Sequence, residues 1–335
     1  MTTLAPPQPD ALEPAPEPHG LRDGGRRRGV AGDHLFRWLA LLGGLMVLVV
    51  LGLIAYSTTT KALPWFRKEG LGAVFSDNWD PAHHHFGALA LVYGTFLVGA
   101  LALLLAVPVS IGIALFVTEV APRRLARPVI YIVDLLAAIP SVVYGLWAIF
   151  VLLDPLANLF SVVSSATADI PILKTLFANP SATGRSYMTA GIIVAIMITP
   201  IITSITREVF ATTPASLKEA AYGLGSTKWE MIRGAVFPHS RGGVVSAVMI
   251  GLGRAIGETI AVALVIGASQ NISLHLLGPG DTMASAIVLQ FGEASGTYRS
   301  ALIGLGVVLF ALTILVGMAA RGLVARVDRK TGAVA

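Results

Sequence analysis

Two charged residues lie four positions apart in one of the long apolar stretches of the chain. Arg254 and Glu258 are the only charged residues near the middle of any stretch long enough to cross a membrane. A spacing of four places both side chains on one face of an α-helix, about 6 Å apart along its axis. Each charge costs about 2.5 to 3.5 kcal/mol at the centre of a bilayer, so such residues face a bundle interior or an aqueous cavity.

The pair has two interpretations. In the first, Arg254 and Glu258 neutralise each other inside the bundle and only support packing. In the second, Arg254 binds an anion, since its guanidinium fork matches tetrahedral oxyanions, and Glu258 holds it in place and exchanges with the substrate. We favour the second, because buried ion pairs seldom add net stability and ionisable residues inside membranes usually serve function. Thr259 and Ser141 are candidate hydroxyl donors in the same substrate pathway.

The elements that must position this pair are membrane helices. The chain of 335 residues is 55% hydrophobic and 13% charged, whereas soluble domains are about one quarter charged. About 20 consecutive apolar residues cross the hydrocarbon core as a helix. The sequence therefore predicts an all-α, polytopic membrane protein with about six transmembrane helices. The predicted spans are 36–56, 87–117, 130–152, 188–206, 244–266 and 301–320.

Basic residues predict which way the spans run. With the N-terminus in the cytoplasm, seventeen of the 24 Lys and Arg residues fall in cytoplasmic segments and six in outer loops, while Arg254 lies within a span. This is the positive-inside distribution, so we expect a multi-pass protein of the plasma membrane with both termini cytoplasmic. It also accounts for the net charge of +5 better than a nucleic-acid partner does.

The N-terminal residues stand apart from the spans. Residues 1–35 are rich in Pro, Ala and Gly and lack an apolar pattern, so we predict a disordered cytoplasmic tail. The span 36–56 then reads as an uncleaved signal anchor, because no small-residue cleavage site follows it. The sequence contains no cysteine, which excludes disulfides and thiolate metal sites.

The segment between the fourth and fifth predicted spans is a candidate docking element. We predict a short helix with its N-cap at Thr213, broken by the glycine-rich bend at 223–225. A second short helix would begin with Thr227 and Glu230, which have capping-box spacing, and would end at Pro238. Two short helices joined by such a bend would form a compact knob suited to a soluble partner.

This segment resembles a known motif. Residues 219–225 (Glu-Ala-Ala-Tyr-Gly-Leu-Gly), with Pro238 closing the motif, resemble the EAA loop of binding-protein-dependent ABC importer permeases. The resemblance implies the type-I importer permease fold over residues 87–325, with residues 213–238 as the coupling loop that enters a cleft of the ATPase subunit. It assigns this contact to Glu219, Ala220, Ala221, Gly225 and Pro238.

A narrower resemblance involves the charged pair itself. Residues 253–262 are similar to the phosphate-specific permeases of this class, and in particular to their C-type subunit, as are residues 139–146 and 282–294. The resemblance implies that the chain forms half of a pathway for inorganic phosphate. It further implies a second, A-type permease subunit, two ATPase subunits and an extracytoplasmic phosphate-binding protein as partners. Two alternatives stay open: a permease for sulfate or molybdate, and a phosphate-sensing membrane signalling subunit.

Several other patterns in the sequence have ordinary structural interpretations. Residues 223–228 lack the Gly-Lys-Ser/Thr order of a phosphate loop, so we expect ATP hydrolysis by a partner chain and neither an enzyme nor a cofactor here. The run His83–His85 favours a polar interfacial loop over a metal site, since no carboxylate follows at helical spacing. The loop 154–186 is predicted to be a surface loop or part of an outer gate. Residues 281–291 are predicted to form a short helix capped by Asp281.

Overall fold

The computed structural model describes residues 26–331, and their side chains from residue 34 onward except at 323, 325 and 327–331. Helices dominate this part of the chain. They are α1 (Arg26–Glu69), α2 (Leu89–Leu115), α3 (Arg123–Ala138), α4 (Ser141–Trp147), α5 (Leu153–Ala166), α6 (Pro171–Leu176), α7 (Tyr187–Ala211), α8 (Ala215–Gly223), α9 (Lys228–Met231), α10 (Phe237–Gly257), α11 (Ile260–Val265), α12 (Met283–Gln290) and α13 (Gly296–Thr331).

Short segments complete the described structure. A 3₁₀ turn covers Leu71–Phe75, and strands β1 (Trp79–Asp80) and β2 (His85–Phe86) form an antiparallel hairpin. Three π-helical turns connect or extend the helices. Phe116–Val120 continues α2, Ala148–Leu152 joins α4 to α5, and Ile232–Val236 joins α9 to α10.

Five uninterrupted helical runs are long and apolar enough to cross a bilayer among the described residues. They are His34–Glu69, Leu89–Val120, Ser141–Ala166, Tyr187–Ala211 and Gly296–Gly322. Four of them, all except Ser141–Ala166, contain a predicted span or overlap nearly all of it. This confirms the prediction of an all-α polytopic membrane protein. Residues 1–25 of the predicted tail lie outside the described part of the chain, and α1 takes in residues 26–35.

The third predicted span, 130–152, has the wrong bounds. The helix is interrupted at Ile139 and Pro140, which are both extended, with ψ of 128° and 141°. Proline has no N–H to donate and disfavours the helical conformation in the residue before it. The residues ahead of the break form α3, a largely exposed helix that buries Ala126 and Val133, and the span itself is Ser141–Ala166.

The fifth predicted span, 244–266, is not a single helix. Helix α10 ends at Gly257, Glu258 is extended with ψ of 129°, and α11 begins at Ile260. Glycine and β-branched residues have lower helix propensity than Ala or Leu, and the break falls among three of them. Arg254 therefore lies in the last turn of α10 and Glu258 is the residue after the helix, so the prediction of one uninterrupted helix through both residues is wrong.

Close packing brings the two interruptions together. A Cβ atom on Gly145 of α4 would lie 2.7 Å from Leu264 Cδ1 and 3.0 Å from the Cα of Ala261 in α11. Gly145 lies five residues after Pro140 and Ala261 two residues after Thr259, so both contacts fall within about two helical turns of a break and the two breaks lie in the same part of the molecule. The absent side chain of Gly145 is what allows this approach.

The chain divides into two compact units, residues 1–54 and 55–335. In the first, the described side chains are exposed and apolar, which is typical of a helix in contact with lipid. In the second, α2 and α7 form the centre of a large apolar core with α10 and α11, around Ala102, Ile193 and Ile198. A smaller apolar core surrounds Trp65. This side chain is fully buried and donates its Nε1 proton to the Phe86 carbonyl (3.1 Å).

Candidate functional site

Arg254 and Glu258 lie on either side of the end of α10. The Arg254 side chain is exposed, in the last turn of the helix, whereas Glu258 is 9% exposed within the break. The structure contains no ion pair between the two residues. Among the described residues the guanidinium has no ion-pair or hydrogen-bond partner, and free donors are the state required for binding a passing anion.

Ser141 opens the helical run on the other side of the packed breaks. It follows the extended Pro140, and the run continues to Ala166, so its first N–H groups have no helical acceptor. Such a helix start carries partial positive charge. Tyr144, one turn later, donates its hydroxyl proton to the Leu136 carbonyl (2.8 Å) and ties α4 to the end of α3.

Thr259 stands inside the break. Its hydroxyl donates to the Gly257 carbonyl at 3.0 Å, and the residue is partly buried. The lone pairs of its oxygen stay available, but its proton is already used within the chain. The structure thus places Arg254, Glu258 and Thr259 at one break and Ser141 at the neighbouring one.

The segment between α7 and α10 has the predicted two-part form. Helix α8 is followed by Gly225, whose φ of 82° favours glycine, and α9 begins with a complete capping box. The Thr227 N–H donates to Glu230 Oε2 (2.8 Å), and the Glu230 N–H donates to Thr227 Oγ1 (3.4 Å). The Thr227 N–H and the Thr227 hydroxyl both donate to the Glu230 carboxylate, and these two hydrogen bonds hold the pKa of Glu230 below its ordinary value. The predicted capping box is confirmed.

Two details of this segment differ from the prediction. Pro214, not Thr213, is the N-cap of α8, and Thr213 is buried with its hydroxyl 3.4 Å from that of Ser240. Pro238 does not end a helix, because the π-helical turn Ile232–Val236 carries α9 directly into α10. Proline is tolerated in the first turn of a helix, where an N–H has no helical partner.

The surface of the segment is apolar as well as charged. Leu217, Ala220 and Leu224 of α8 and its C-cap are all exposed at helical spacing, and we call them the exposed stripe. Leu224 is 88% exposed. Exposed apolar side chains of this kind mark interaction sites. Of the predicted coupling residues, Glu219, Ala220 and Gly225 are exposed, whereas Ala221 and Pro238 are half-buried.

The histidine run lies on the hairpin between α1 and α2. The His83 Nδ1 atom is 2.5 Å from Asp80 Oδ2, and this hydrogen bond lowers the pKa of Asp80. No group of three or more His, Asp or Glu side chains that could hold a metal occurs in the described part of the chain.

Residues 106–332 match the family described as the binding-protein-dependent transport system inner membrane component. The chain belongs to this family. The match covers α3 to α13, and so includes both helix breaks and the docking segment. This permease is accordingly a multi-pass membrane protein and a transport subunit.

Relatives of the permease carry one name in several bacteria. The phosphate transport system permease protein PstC of Xylella fastidiosa (strain 9a5c) is 44% identical over 92% of this chain and 96% of the relative. That of Mesorhizobium japonicum is 43% identical over 96% and 98%. PstC 2 of Mycobacterium tuberculosis is 42% identical over 87% and 91%. This permease is PstC-like.

Two solved structures share its fold. A chain of a bacterial alginate ABC transporter, crystallised with an alginate-bound periplasmic protein, aligns with a TM-score of 0.56 and 16% identity over 88% of this chain and 97% of that one. A chain of the inward-facing MetNI methionine ABC transporter aligns with a TM-score of 0.50 and 17% identity over 71% and 96%. The predicted type-I importer permease fold is confirmed.

Two further features of the permease had no recognised signal in the sequence. Lys218 of α8 forms an ion pair with Glu119 at the end of α2, at 2.6 Å. Asp281 is 1% exposed, and the cap of α12 is Thr282 with Ser285 rather than Asp281. The first contact joins residues 99 positions apart, a separation that no local pattern reports.

Proposed function

We propose that this permease forms half of the translocation pathway of an ATP-driven importer of inorganic phosphate. The observation that carries the proposal is the exposed guanidinium of Arg254, which has no ion-pair partner in the described part of the chain and lies at a break in a membrane helix. A charge in this position is costly unless it serves a ligand or a water-filled route. The name of three relatives at 42 to 44% identity, phosphate transport system permease protein, supports phosphate as that ligand.

The pathway residues then have distinct roles. Arg254 offsets part of the anion's desolvation, helped by the positive helix start at Ser141. A single guanidinium binds weakly enough for release, as a conduit requires. Glu258 competes with phosphate for Arg254 when the pathway closes, and Thr259 offers its oxygen lone pairs to a protonated phosphate.

The partners follow from the family and from the surfaces. A binding protein outside the membrane delivers phosphate to the outer loops, as the family description implies. A second, A-type permease subunit completes the pathway. Two ATPase subunits dock on the coupling loops, here on Glu219–Gly225 and the exposed stripe. The positive-inside bias places this loop and both chain ends in the cytoplasm.

The cycle couples these parts. ATP binding closes the ATPase dimer and pulls on the coupling loop, which tilts the spans and alternates access to the cavity. We also call the coupling loop, residues 213–238, the docking loop. The break between α10 and α11 lies between this loop and the outer loops, so it is positioned to open and close around Arg254.

Reconstitution of the full complex in proteoliposomes tests the proposal. We expect Arg254→Ala to abolish uptake of labelled phosphate while the complex still assembles, and Lys174→Ala, in the outer helix α6, to leave uptake unchanged. Competition by unlabelled sulfate or molybdate would instead assign the pathway to those anions. ATP hydrolysis without any flux would assign the complex to signalling. Normal uptake by Arg254→Ala would reduce this residue to a packing role.

A further inference from the structure

An ion pair fastens the docking loop to a membrane-spanning helix. Lys218 of α8 donates to Glu119, at the C-terminal end of the Leu89–Val120 span, with an Nζ–Oε1 distance of 2.6 Å. The Glu119 side chain is 7% exposed and that of Lys218 is 24% exposed. The other ion pairs in the described part of the chain join residues at most three positions apart. This one is therefore a tertiary link and not a local surface pair.

Apolar packing also holds α8 against its neighbours, which include α9 and the π-helical turn Ile232–Val236. Ala221, three residues after Lys218 and on the same face, packs on an apolar cluster that includes Ala114 of α2, Phe210 of α7 and Met231 of α9. The exposed stripe lies on the adjoining side of α8, since Leu217 is four positions before Ala221 and Leu224 is three positions after it. A partner that binds the stripe would act on α2 through this apolar cluster and the ion pair.

The Glu119 end of the link is built irregularly. Glu119 belongs to the π-helical turn Phe116–Val120, which is followed by the extended Ala121. Turns of this type are rare inside helices and often mark functional positions. Because Glu119 is buried, removing Lys218 leaves a carboxylate without compensation, which is strongly destabilising for the contact.

The middle part of α2 contacts the helix that carries Arg254. A Cβ atom on Gly99 of α2 would lie 3.6 Å from Leu252 and 3.8 Å from Ile256 of α10, which are two positions before and two after Arg254, on the opposite face of the helix. A movement of α2 along its axis would therefore shift the turn of α10 that carries the Arg254 guanidinium.

We infer that Lys218 and Glu119 are positioning residues that make the docking loop and α2 move as one body during the transport cycle. The inference rests on the proposed docking of ATPase subunits to this loop. Loss of the ion pair lets α8 follow the ATPase while α2 stays behind. ATP hydrolysis then continues and phosphate movement stops.

The ratio of phosphate imported to ATP hydrolysed measures this link in proteoliposomes that hold the full complex. We expect each single variant, Glu119→Gln or Lys218→Met, to keep the ATPase subunits bound. Each should lower the ratio of phosphate imported to ATP hydrolysed about tenfold or more, because it removes one partner of a buried ion pair. The exchanged pair Glu119→Lys with Lys218→Glu should restore much of the ratio. Glu208→Gln, in the exposed pair with Arg207, is the matched control and should leave it unchanged.

A covalent link provides the second test. The chain has no cysteine, so Glu119→Cys with Lys218→Cys adds the only thiols when the partner subunits are cysteine-free. We expect this variant to be uncoupled, and a short thiol-reactive cross-linker to restore transport. An unchanged ratio in the single variants, or a cross-linker that blocks transport, overturns the inference. Absence of bound ATPase from the wild-type chain would instead overturn the proposed function.

Discussion

The two cations Arg254 and Lys218 show how the same charge serves opposite purposes. Lys218 has a buried carboxylate as a fixed partner, and its contribution is a rigid contact. Arg254 has no carboxylate partner among the described residues, although Glu258 follows four positions later. A guanidinium presents five N–H donors in a planar fork, so leaving it unpaired favours a mobile oxyanion over a structural role.

Asp281 is a buried carboxyl in the loop between α11 and α12, outside the five spans. Its Oδ1 atom accepts hydrogen bonds from the Thr282 N–H (2.8 Å) and from the Ser285 hydroxyl, while Oδ2 has no partner among the described groups. Burial raises the pKa of Asp281 from 3.8 to about 6. The folded protein thus keeps a proton that the unfolded chain releases, and stability falls as the pH rises from about 4 to about 6.

We predict that Asp281→Asn raises the melting temperature of the purified permease at pH 8. The amide keeps the Oδ1 acceptor and removes a charge whose burial costs about 3 kcal/mol, from a shift of about two pKa units. The gain should be small near pH 4 and vanish at about pH 3, where the wild-type carboxyl is mostly protonated in both states. Melting followed by tryptophan fluorescence measures it, with the exposed Asp77→Asn as control. A gain that is equal at both pH values would contradict the assignment.

At the scale of elements, the site depends on two interrupted helices packed against each other. Helix α4 starts after Pro140, α11 starts after Thr259, and the contact between Gly145 and Ala261 joins them. Each break leaves backbone N–H and C=O groups that an uninterrupted helix would pair internally. Inside a membrane such groups are tolerated only where they are buried in protein or line a cavity. The breaks are therefore consistent with a water-filled route beside them.

We predict that Gly145→Val impairs phosphate uptake and lowers the melting temperature. The added methyl groups would overlap Leu264 and the backbone of Ala261, and overpacking of this kind costs about 1 to 3 kcal/mol. Gly112→Ala is the control, because no heavy atom lies within 4 Å of a Cβ at that position. Uptake and stability of Gly145→Val equal to those of the control would show that α4 and α11 need not touch.

The elements could be predicted from the sequence to different degrees. Long apolar runs predicted α2, α7 and α13 closely, since only length and hydropathy are needed. The break at Pro140 was missed because membrane helices often accommodate proline, and its effect depends on neighbouring helices. The break after Gly257 had only a weak local signal, because several other glycines in the same stretch remain helical. The ion pair between Glu119 and Lys218 had none, since it is set by tertiary structure.

The whole molecule displays two kinds of exposed apolar surface. One belongs to the membrane helices, as in the described side chains of residues 34–54, and is explained by lipid. The other belongs to loops, notably the exposed stripe and Ile172 of α6, which is 75% exposed. With the proposed orientation, the stripe lies in the cytoplasm and Ile172 on the outer side. A single chain does not need either surface, so each is available to a separate partner.

This division predicts that Leu224→Asp releases the ATPase subunits from the purified complex. The side chain is 88% exposed, so a carboxylate there costs the isolated chain little, whereas burying it in a partner's cleft without a counter-charge is unfavourable. Ile172→Asp, at a position that is also highly exposed but on the opposite side, should retain the ATPase. Co-purification from solubilised membranes distinguishes them, with melting of the chain as the check on folding. ATPase lost from Ile172→Asp and kept by Leu224→Asp would invert the orientation, because docking would then occur on the face of α6.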